Sequence, residues 1–509
     1  MCPAWASSDA VQGLSDPADR LTDPADRLTE RGRSGAVRAP GDRSPGAGDT
    51  SQKGGDRMRD LSRIFKAYDV RGVVPAEFDA EIARSTGAAF VRLLDAERIV
   101  TAHDMRESSI PLAAAFAEGA ASQGADVITA GLGSTDLLYF AAGSLDIPGA
   151  MFTASHNPAK YNGIKLCRAG AAPIGQETGL AEIRAMVEHG VPAVSGRVGA
   201  VTTRDLLADY VRYLHTLVDL SGIRPLTVAV DAGNGMGGLT VPATFAGLPL
   251  TVIPLYFELD GSFPNHEANP IEPANLRDLQ AAVRSSGADL GLAFDGDADR
   301  CFVVDERGEI VSPSTITALV ADRELAHEPG GTIIHNVIVS RGVPELVTER
   351  GGVPVRTRVG HSFIKAEMAR TGAIFGGEHS GHFYFRDFWR ADSGMLAALH
   401  VLAALGGQQW PLSDLLAGYS RYSASGEINS EVADAVAAMQ AVEKAYAPHA
   451  ANVDHLDGLT VSFADGSWFN LRPSNTEPLL RLNVEGPDEA TMRRLRDEVL
   501  ARVRGGRES

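Results

Sequence analysis

Short apolar runs alternate with amphipathic stretches along most of this chain. The runs 98–104, 126–131 and 148–155 have the length and apolar content of strands, and residues 109–123 have the apolar spacing of a helix. Strands that alternate with helices in this way predict parallel sheets covered by helical layers. The first unit of this kind occupies residues 58–203.

The same alternation returns twice and then changes. A strand enters a glycine-rich turn at 226–238, and further strands are predicted at 331–339 and 353–360, whereas the last unit has a hairpin-like run at 459–473 and a closing helix. We therefore predict an α/β protein of three similar α/β/α layered domains followed by a C-terminal mixed α+β domain. The predicted domains are 58–203, 204–305, 306–420 and 421–509.

The first 57 residues have a different pattern. A seven-residue unit occurs twice, as LSDPADR and LTDPADR over 14–27, and each copy holds one leucine and an interior proline. Proline in every copy excludes a coiled coil. We expect residues 1–57 to form a disordered low-complexity tail with no part in function.

Composition and charge narrow the classes of function. Apolar residues make up 44% and charged residues 22% of the 509, as in globular proteins, and the formal net charge of −18 argues against nucleic-acid and anionic-membrane partners. The three cysteines are far apart, without the spacing of a zinc site or a redox pair. The longest apolar stretch, 394–406, is shorter than a membrane span and predicts a buried helix, and the first residues lack a signal-peptide core. We expect a cytoplasmic protein that is a monomer or a weak homodimer.

The run DGDADR places three carboxylates, Asp295, Asp297 and Asp299, on a turn between two apolar strands. Oxygen ligands at this density suit Mg²⁺. An EF-hand loop is excluded, because Arg300 occupies the position that such a loop reserves for glycine and the flanks are strands. A solvent-exposed acidic turn is the alternative.

The run TASHNPAKYNGIK sets Ser155 at the end of a buried strand, before an Asn-Pro turn. We expect this serine to be exposed and rigidly held, with the neighbouring His156 pointing away from it, so a Ser-His protease pair is not indicated. An ordinary Ser-Asn-Pro turn is the alternative. Lys160 and Lys165 favour a functional site, since the chain has only six lysines and one beside a serine can balance a phosphate or move a proton.

The run GGEHSGHFYF predicts that Glu378, Ser380 and His382 share one face of a strand. Such side chains suit the hydroxyl groups of a sugar, and a polar solvent-facing edge is the alternative. A metal role for this set is disfavoured, because no third ligand is near in sequence. Upstream, His361 and Lys365 have helical i, i+4 spacing and can face one pocket or a helix surface.

The run RPSNTEPLLRL gathers small polar residues on a turn, with an arginine on either side. Turn amides, hydroxyls and guanidinium groups together form a site for a phosphate. An ordinary Ser/Thr turn would not account for the arginines. The residues concerned are Arg472, Ser474, Asn475, Thr476 and Arg481.

A serine, a carboxylate metal site, a hydroxyl-binding segment and a phosphate site, one in each domain, together indicate phosphoryl transfer on a sugar phosphate. With TASHNP, DGDADR, GEHSGH and RPSNTEP in this order, the chain from about Ile64 onward resembles the α-D-phosphohexomutase superfamily, and most closely its bacterial phosphomannomutase/phosphoglucomutase branch. The resemblance implies four domains around a deep cleft.

The resemblance also implies roles for individual residues. It implies a phosphoserine at Ser155, Mg²⁺ bound by Ser155, Asp295, Asp297 and Asp299, sugar contacts from Glu378, Ser380 and His382, phosphate contacts from Arg472, Ser474, Asn475, Thr476 and Arg481, proton transfer by Lys165 and His361, and a cleft lined by Tyr68, Arg71 and Arg300.

The implied reaction is the reversible conversion of mannose 6-phosphate to mannose 1-phosphate, with glucose phosphates also accepted and a hexose 1,6-bisphosphate as intermediate and activator. Ile338 stands where relatives carry a lysine, and His103 where they carry an arginine, which puts the sugar preference in question. Phosphoglucosamine mutase activity is an alternative, although His379 and Asn475 favour the hexose branch. A catalytically silent sugar-phosphate sensor is a further alternative.

Overall fold

The computed structural model describes residues 60–473 and 479–505. The chain forms four successive sheets, each covered by helices, which confirms the predicted fold class. The tail predicted for residues 1–57 lies outside the described residues. In the part of the chain that is described, no helix has the length and apolar character needed to span a bilayer.

The first domain is a six-stranded mixed sheet with the order β1-β5-β4-β2-β3-β6. Its elements are β1 (Val70–Val73), α1 (Ala80–Leu94), β2 (Arg98–His103), α2 (Ser109–Ser122), β3 (Asp126–Leu132), α3 (Thr135–Ser144), β4 (Gly149–Phe152), β5 (Tyr161–Cys167), α4 (Leu180–His189) and β6 (Val201–Thr203). Strands β2, β3 and β4 run parallel, so the loops that follow them meet at one edge of the sheet.

The second domain has a five-stranded sheet with the order β11-β10-β9-β7-β8. Its elements are α5 (Leu207–Leu217), β7 (Leu226–Asp231), α6 (Gly237–Phe245), β8 (Leu250–Leu255), α7 (Arg277–Ser286), β9 (Leu290–Phe294), β10 (Cys301–Asp305) and β11 (Ile310–Val311). Every residue of β9 and β10 is buried, and the two strands pair antiparallel. The acidic loop between them is therefore held at both ends by the core.

The third domain repeats this plan, with the strand order β13-β12-β14-β15-β16. Its elements are α8 (Pro313–His327), β12 (Thr332–Asn336), α9 (Gly342–Glu349), β13 (Val353–Thr357), α10 (His361–Thr371), β14 (Phe375–Gly377), β15 (Phe383–Phe385), β16 (Ala391–Asp392), α11 (Gly394–Gly406) and α12 (Leu412–Leu416). Helix α11 is almost wholly buried, as its apolar sequence predicts.

The fourth domain is a five-stranded antiparallel sheet packed against two helices. Its elements are β17 (Ser423–Glu431), α13 (Ala435–Tyr446), β18 (Asn452–Asp454), β19 (Leu459–Ser462), β20 (Trp468–Pro473), β21 (Leu479–Gly486) and α14 (Glu489–Gly505). This domain has a core of its own, whereas one continuous hydrophobic core runs through the first three domains. Burial of that shared core fixes the first three sheets against one another.

Candidate active site

Three buried carboxylates form the centre of the site. The loop from Asp295 to Arg300 joins β9 to β10, and the aspartates at 295, 297 and 299 are at most 1% exposed. The alternative of a solvent-exposed acidic turn is therefore wrong. The strands on both sides confirm that the loop is not an EF-hand. One oxygen of each of the three carboxylates lies within 4.8 Å of the others.

Lys165, on β5 of the first domain, reaches into this acidic loop. Its Nζ atom lies 2.7 Å from Asp297 Oδ2 and 2.5 Å from Asp299 Oδ2. The other oxygens, Asp297 Oδ1 and Asp299 Oδ1, are buried without a hydrogen-bond partner among the described residues. Buried carboxylate oxygens without a donor are costly unless a cation satisfies them. The residues present therefore fit a hard divalent cation such as Mg²⁺.

The three carboxyl groups differ in their proton affinity. Burial, together with the nearby Asp297 charge, raises the pKa of Asp295 to about 6 and that of Asp299 well above its ordinary value. Burial also acts on Asp297, but the Lys165 ammonium outweighs it and lowers the pKa of that carboxyl. Burial first, and repulsion from Asp297 second, disfavour the charged forms of Asp295 and Asp299, and a bound cation would oppose both effects.

Ser155 stands directly beside this cluster. Its Oγ atom donates a hydrogen bond to Asp295 Oδ2 at 2.6 Å, across the boundary between the first and second domains. The expectation of an exposed serine is wrong, because the residue is only 1% accessible under the packed second domain. The neighbouring histidine is also nearer than predicted, since Ser155 has φ of 49° and this turn brings His156 Nδ1 to 3.3 Å from Oγ.

Arg106, which was not identified from the sequence, anchors the loop that carries Ser155. This serine loop comprises residues 155–161. Its guanidinium is buried and donates to four backbone carbonyls of the loop, at 2.6–3.1 Å. Asp104 accepts from Arg106 Nε at 3.2 Å and balances its charge. The four carbonyl oxygens belong to Ser155, Asn157, Pro158 and Tyr161. The arginine lies three residues beyond the end of β2, where only its distant partners distinguish it from a surface residue.

Arg300 connects the second domain to the first and the third. Its Nη2 atom donates to His156 Nδ1 at 2.9 Å, and its Nε atom donates to His382 Nε2 at 3.2 Å. Burial and the adjacent guanidinium hold the pKa of both histidines well below its ordinary value. Both imidazoles are therefore neutral near pH 7.

The segment from Glu378 to His382 is a turn between β14 and β15. The predicted continuous strand is wrong here: the Glu378 N–H donates to the His382 carbonyl, and Gly381 has φ of +83°. The turn still brings the three predicted side chains together. Ser380 Oγ lies 2.9 Å from His382 Nδ1 and donates to Glu378 Oε2 at 3.4 Å.

Three donors missed from the sequence fix the Glu378 carboxylate. The Asn336 side chain and the Gly360 N–H both donate to Oε1 at 3.1 Å, and the Tyr384 hydroxyl donates to Oε2 at 2.7 Å. Asn336 ends β12 and Gly360 precedes α10. Asn336 and Gly360 are 42 and 18 positions from Glu378 in the chain, whereas Tyr384 lies on the neighbouring antiparallel strand β15. The folded sheet of the third domain brings the three donors to one carboxylate.

His361 begins α10 and packs against the first domain. Its ring centroid lies 4.9 Å from that of Tyr68, in an edge-on arrangement. Burial and the nearby Lys365 lower the pKa of His361 to about 3, so the ring is neutral. Arg71 donates to Asn157 Oδ1 at 2.7 Å beside the serine loop. Tyr68, Arg71 and His361 thus lie on the first- and third-domain sides of the same site.

Arg472 and Arg481 lie side by side on β20 and β21, where they are register partners. Arg472 Nη2 donates to Glu427 Oε2 at 2.8 Å, and Arg481 Nη1 donates to Oε1 of the same carboxylate at 3.0 Å. The two guanidinium groups thus lie on the strands that flank, in sequence, the segment predicted to bind phosphate. Ser474, Asn475 and Thr476 lie outside the described residues.

Three further residues singled out in the sequence have their described contacts outside the aspartate cluster. Lys160 is exposed, and its ammonium lies 5.6 Å from the centroid of the neighbouring Tyr161 ring. Ile338 is buried, and its N–H donates to Asn336 Oδ1 at 3.1 Å. His103 is half-buried, with its Nδ1 atom 2.9 Å from the Asp104 carbonyl oxygen.

Comparison with known proteins gives matches in all four domains. Residues 62–192, 208–308 and 312–422 match alpha/beta/alpha domains I, II and III of phosphoglucomutase/phosphomannomutase, and residues 427–502 match its C-terminal domain.

Proteins that match this chain over nearly their whole length are named as phosphohexose mutases or phosphomannomutases. A protein of Xanthomonas campestris named "Phosphohexose mutases" is 40% identical over 445 residues, 87% of this chain and 99% of its own length. The phosphomannomutase of Escherichia coli K12 is 40% identical over 449 residues, covering 86% and 97%. A crystal structure of a phosphoglucomutase/phosphomannomutase family protein from Burkholderia thailandensis superimposes with a TM-score of 0.79 at 34% identity, covering 87% and 98%.

Proposed function

The chain belongs to the phosphoglucomutase/phosphomannomutase family and is an isomerase of hexose phosphates, and we propose that it interconverts mannose 6-phosphate and mannose 1-phosphate through a phosphoserine at Ser155. The observation that carries the proposal is the hydrogen bond from Ser155 Oγ to Asp295 Oδ2 at 2.6 Å. It places the serine oxygen next to the carboxylates that fit a cation. A phosphoryl group on that oxygen would meet Arg300 and Lys165 within the same cluster.

Asp295, Asp297, Asp299 and the phosphorylated Ser155 are the proposed ligands of Mg²⁺. When bound, the ion supplies charge neutralisation at the phosphoryl oxygens. With all three carboxylates ionised, as metal ligands must be, the positive charges of Lys165 and Arg300 leave the cluster one charge negative. This charge balance supports a site built for a cation.

In the proposed first transfer, the free hydroxyl oxygen of the sugar phosphate attacks the phosphorus of phosphoserine. The bond between Ser155 Oγ and phosphorus breaks, and Oγ keeps the electron pair. The proton of the attacking hydroxyl passes to a neutral base, for which we propose His361. His361 is neutral at pH 7, because burial and Lys365 lower its pKa to about 3, and its imidazole therefore has an unprotonated ring nitrogen for this proton. Lys165 is the proposed proton donor to the departing Ser155 oxygen, since Asp297 and Asp299 outweigh burial and raise the pKa of its ammonium.

The product of this step is a hexose 1,6-bisphosphate, which turns end for end and returns its other phosphoryl group to Ser155. The second transfer is the reverse of the first. Both orientations need the same sugar contacts, and we assign these to Glu378, Ser380 and His382 on the turn after β14. The distal phosphate would bind Arg472 and Arg481, together with Ser474, Asn475 and Thr476, and Tyr68 and Arg71 would line the cleft. A bisphosphate is also the proposed activator, since it can phosphorylate an unmodified Ser155.

The mechanism is tested with purified full-length protein, Mg²⁺ and a trace of hexose 1,6-bisphosphate. We expect interconversion of mannose 1- and 6-phosphates, a phosphorylated species in the intact mass, and at least a hundredfold lower kcat for Ser155→Ala. Ser122→Ala at the end of α2 is the matched control and should keep full activity. Full activity of Ser155→Ala would exclude the phosphoserine mechanism.

Sugar preference is tested by comparing kcat/KM for mannose, glucose and glucosamine phosphates. We propose that mannose phosphate is preferred and that glucose phosphate is accepted. A preference for glucosamine phosphate would favour the alternative activity, and Ile338→Lys then tests whether the missing lysine sets the choice. Lack of turnover and of any phosphorylated species, despite sugar-phosphate binding, would indicate a silent sensor.

A further inference from the structure

Thr135 of the first domain contacts the acidic loop of the second domain through two hydrogen bonds. Its Oγ1 atom donates to Asp297 Oδ2 at 2.5 Å, and its backbone N–H donates to the Asp297 carbonyl at 3.0 Å. Both residues are fully buried. They are 162 positions apart in the chain, so this contact exists only in the assembled fold.

The two oxygens of the Asp297 carboxylate have different surroundings. Oδ2 accepts from Thr135 and from Lys165 Nζ, whereas Oδ1 is buried without a hydrogen-bond partner in the described part of the chain. Two donors on one oxygen fix the rotation of the carboxylate about its last torsion. The consequence is that Oδ1 is held as the oxygen available to a cation.

The start of α3, which carries Thr135, is itself firmly anchored. Ser134 Oγ accepts from the Leu137 N–H at 3.3 Å and donates to the Asp136 carboxylate. The other oxygen of Asp136 accepts from the hydroxyls of Tyr210 and Ser393, each at 2.7 Å. Thr135 is thus positioned before any ligand arrives.

We propose that Thr135 is a positioning residue for the divalent cation, and that it acts by orienting the Asp297 carboxylate so that Oδ1 faces the ion. The inference rests on the proposed role of Asp297 as a Mg²⁺ ligand. Partners that orient metal ligands typically contribute 10–100-fold in metal affinity. Thr135 therefore raises the affinity of the site for the cation. Because its hydrogen bond crosses from the first domain to the second, cation binding depends on the contact between these domains.

The test is calorimetric titration of the full chain with Mg²⁺, in the absence of sugar phosphates. Thr135→Val keeps the shape of the side chain and removes the hydroxyl, and we expect it to weaken Mg²⁺ binding about tenfold or more. Thr135→Ser keeps the donor and should bind within about twofold of wild type. Thr86→Val is the matched control, because it removes a buried threonine hydroxyl of the same domain, bonded to the Ile82 carbonyl at 2.7 Å and remote from the acidic loop.

Wild-type affinity in Thr135→Val would overturn the inference, as would an equal loss of affinity in Thr86→Val. If Thr135→Val does not fold, Thr135→Ala is measured against Thr135→Ser in the same titration, with the same tenfold separation expected and its absence equally decisive. Lack of Mg²⁺ binding by the wild-type chain would instead refute the proposed metal site, and the inference with it. If only the role of Thr135 is wrong, the wild-type chain still binds Mg²⁺, so this outcome is distinguishable from the absence of a metal site.

Discussion

The ammonium group of Lys365 lies 2.6 Å from the Asp392 carboxylate, with both side chains at most 4% exposed. The ammonium also lies 4.1 Å from the centroid of the Tyr139 ring, in the first domain. Despite its burial, Asp392 has a pKa below its ordinary value because of Lys365. The pair therefore keeps two buried charges compensated where the first and third domains meet.

Lys365→Met should destabilise the protein strongly, because it leaves the Asp392 carboxylate buried without its partner. We expect a loss of about 3–5 kcal/mol in the free energy of unfolding, measured by chemical denaturation. The double variant Lys365→Met, Asp392→Asn should recover part of that loss. Lys66→Met, at an exposed lysine, is the control and should change stability by less than about 0.5 kcal/mol. Equal effects at the two lysines would contradict the interpretation.

Arg106→Lys should lower kcat, since an ammonium group cannot bond all four carbonyls of the serine loop at once. We expect a decrease of about tenfold or more in kcat with a smaller change in KM, measured under the conditions used for Ser155→Ala. The same substitution at Arg84, whose ion pair with Glu118 is exposed, is the control. If kcat is unchanged in folded Arg106→Lys, the guanidinium does not position the serine.

Tyr384→Phe removes one hydroxyl that orients Glu378 and adds no volume. We expect KM for the sugar phosphate to rise several-fold, because the carboxylate loses the shorter of its two hydrogen bonds on Oε2 and is less firmly held for the proposed sugar contact. Steady-state kinetics gives the KM and kcat values, and thermal unfolding checks that the fold is retained. Tyr213→Phe, which removes a hydroxyl bonded to the Asp387 carbonyl, provides the comparison and should leave KM unchanged. Unaltered KM in Tyr384→Phe would rule out the orienting role.

Glu324 lies outside the candidate active site, and we expect its buried carboxyl to make the stability of the protein depend on pH. Burial, with a contribution from Asp387, raises the pKa of its carboxyl to about 7. Between the unfolded value near 4.5 and this folded value, the native state binds more protons than the unfolded state. The contribution of Glu324 to stability is therefore present below pH 4.5 and is lost as pH rises toward 7.

Glu324→Gln should flatten this part of the stability profile. Between about pH 5 and pH 8, we expect the free energy of unfolding of the variant to exceed that of wild type by roughly 1–3 kcal/mol, measured at each pH. Glu118→Gln, at an exposed carboxylate, should follow the wild-type curve. Parallel curves for Glu324→Gln and wild type would show that this carboxyl titrates normally.

The sequence by itself determined the fold class and most of the chemistry of the candidate site. Apolar periodicity gave the strands around DGDADR and TASHNP, and the residue types marked Asp295, Asp297, Asp299 and Ser155 as candidates. These predictions are possible because apolar periodicity and residue type are local properties that can be read from adjacent positions in the chain. The motifs also indicated the family, which the matches to all four domains show.

Only the tertiary structure decided which side chains meet and how deeply they are buried. Thr135, Arg106 and Asp392 carry no local signal, since each is an ordinary polar residue until a partner from a distant segment is placed against it. Ser155 was expected to be exposed for the same reason: the strand that leads to it is visible in the sequence, but the domain that covers it is not. Burial and pairing depend on contacts between parts of the chain far apart in sequence, and these are set by how the parallel strands and the shared core assemble.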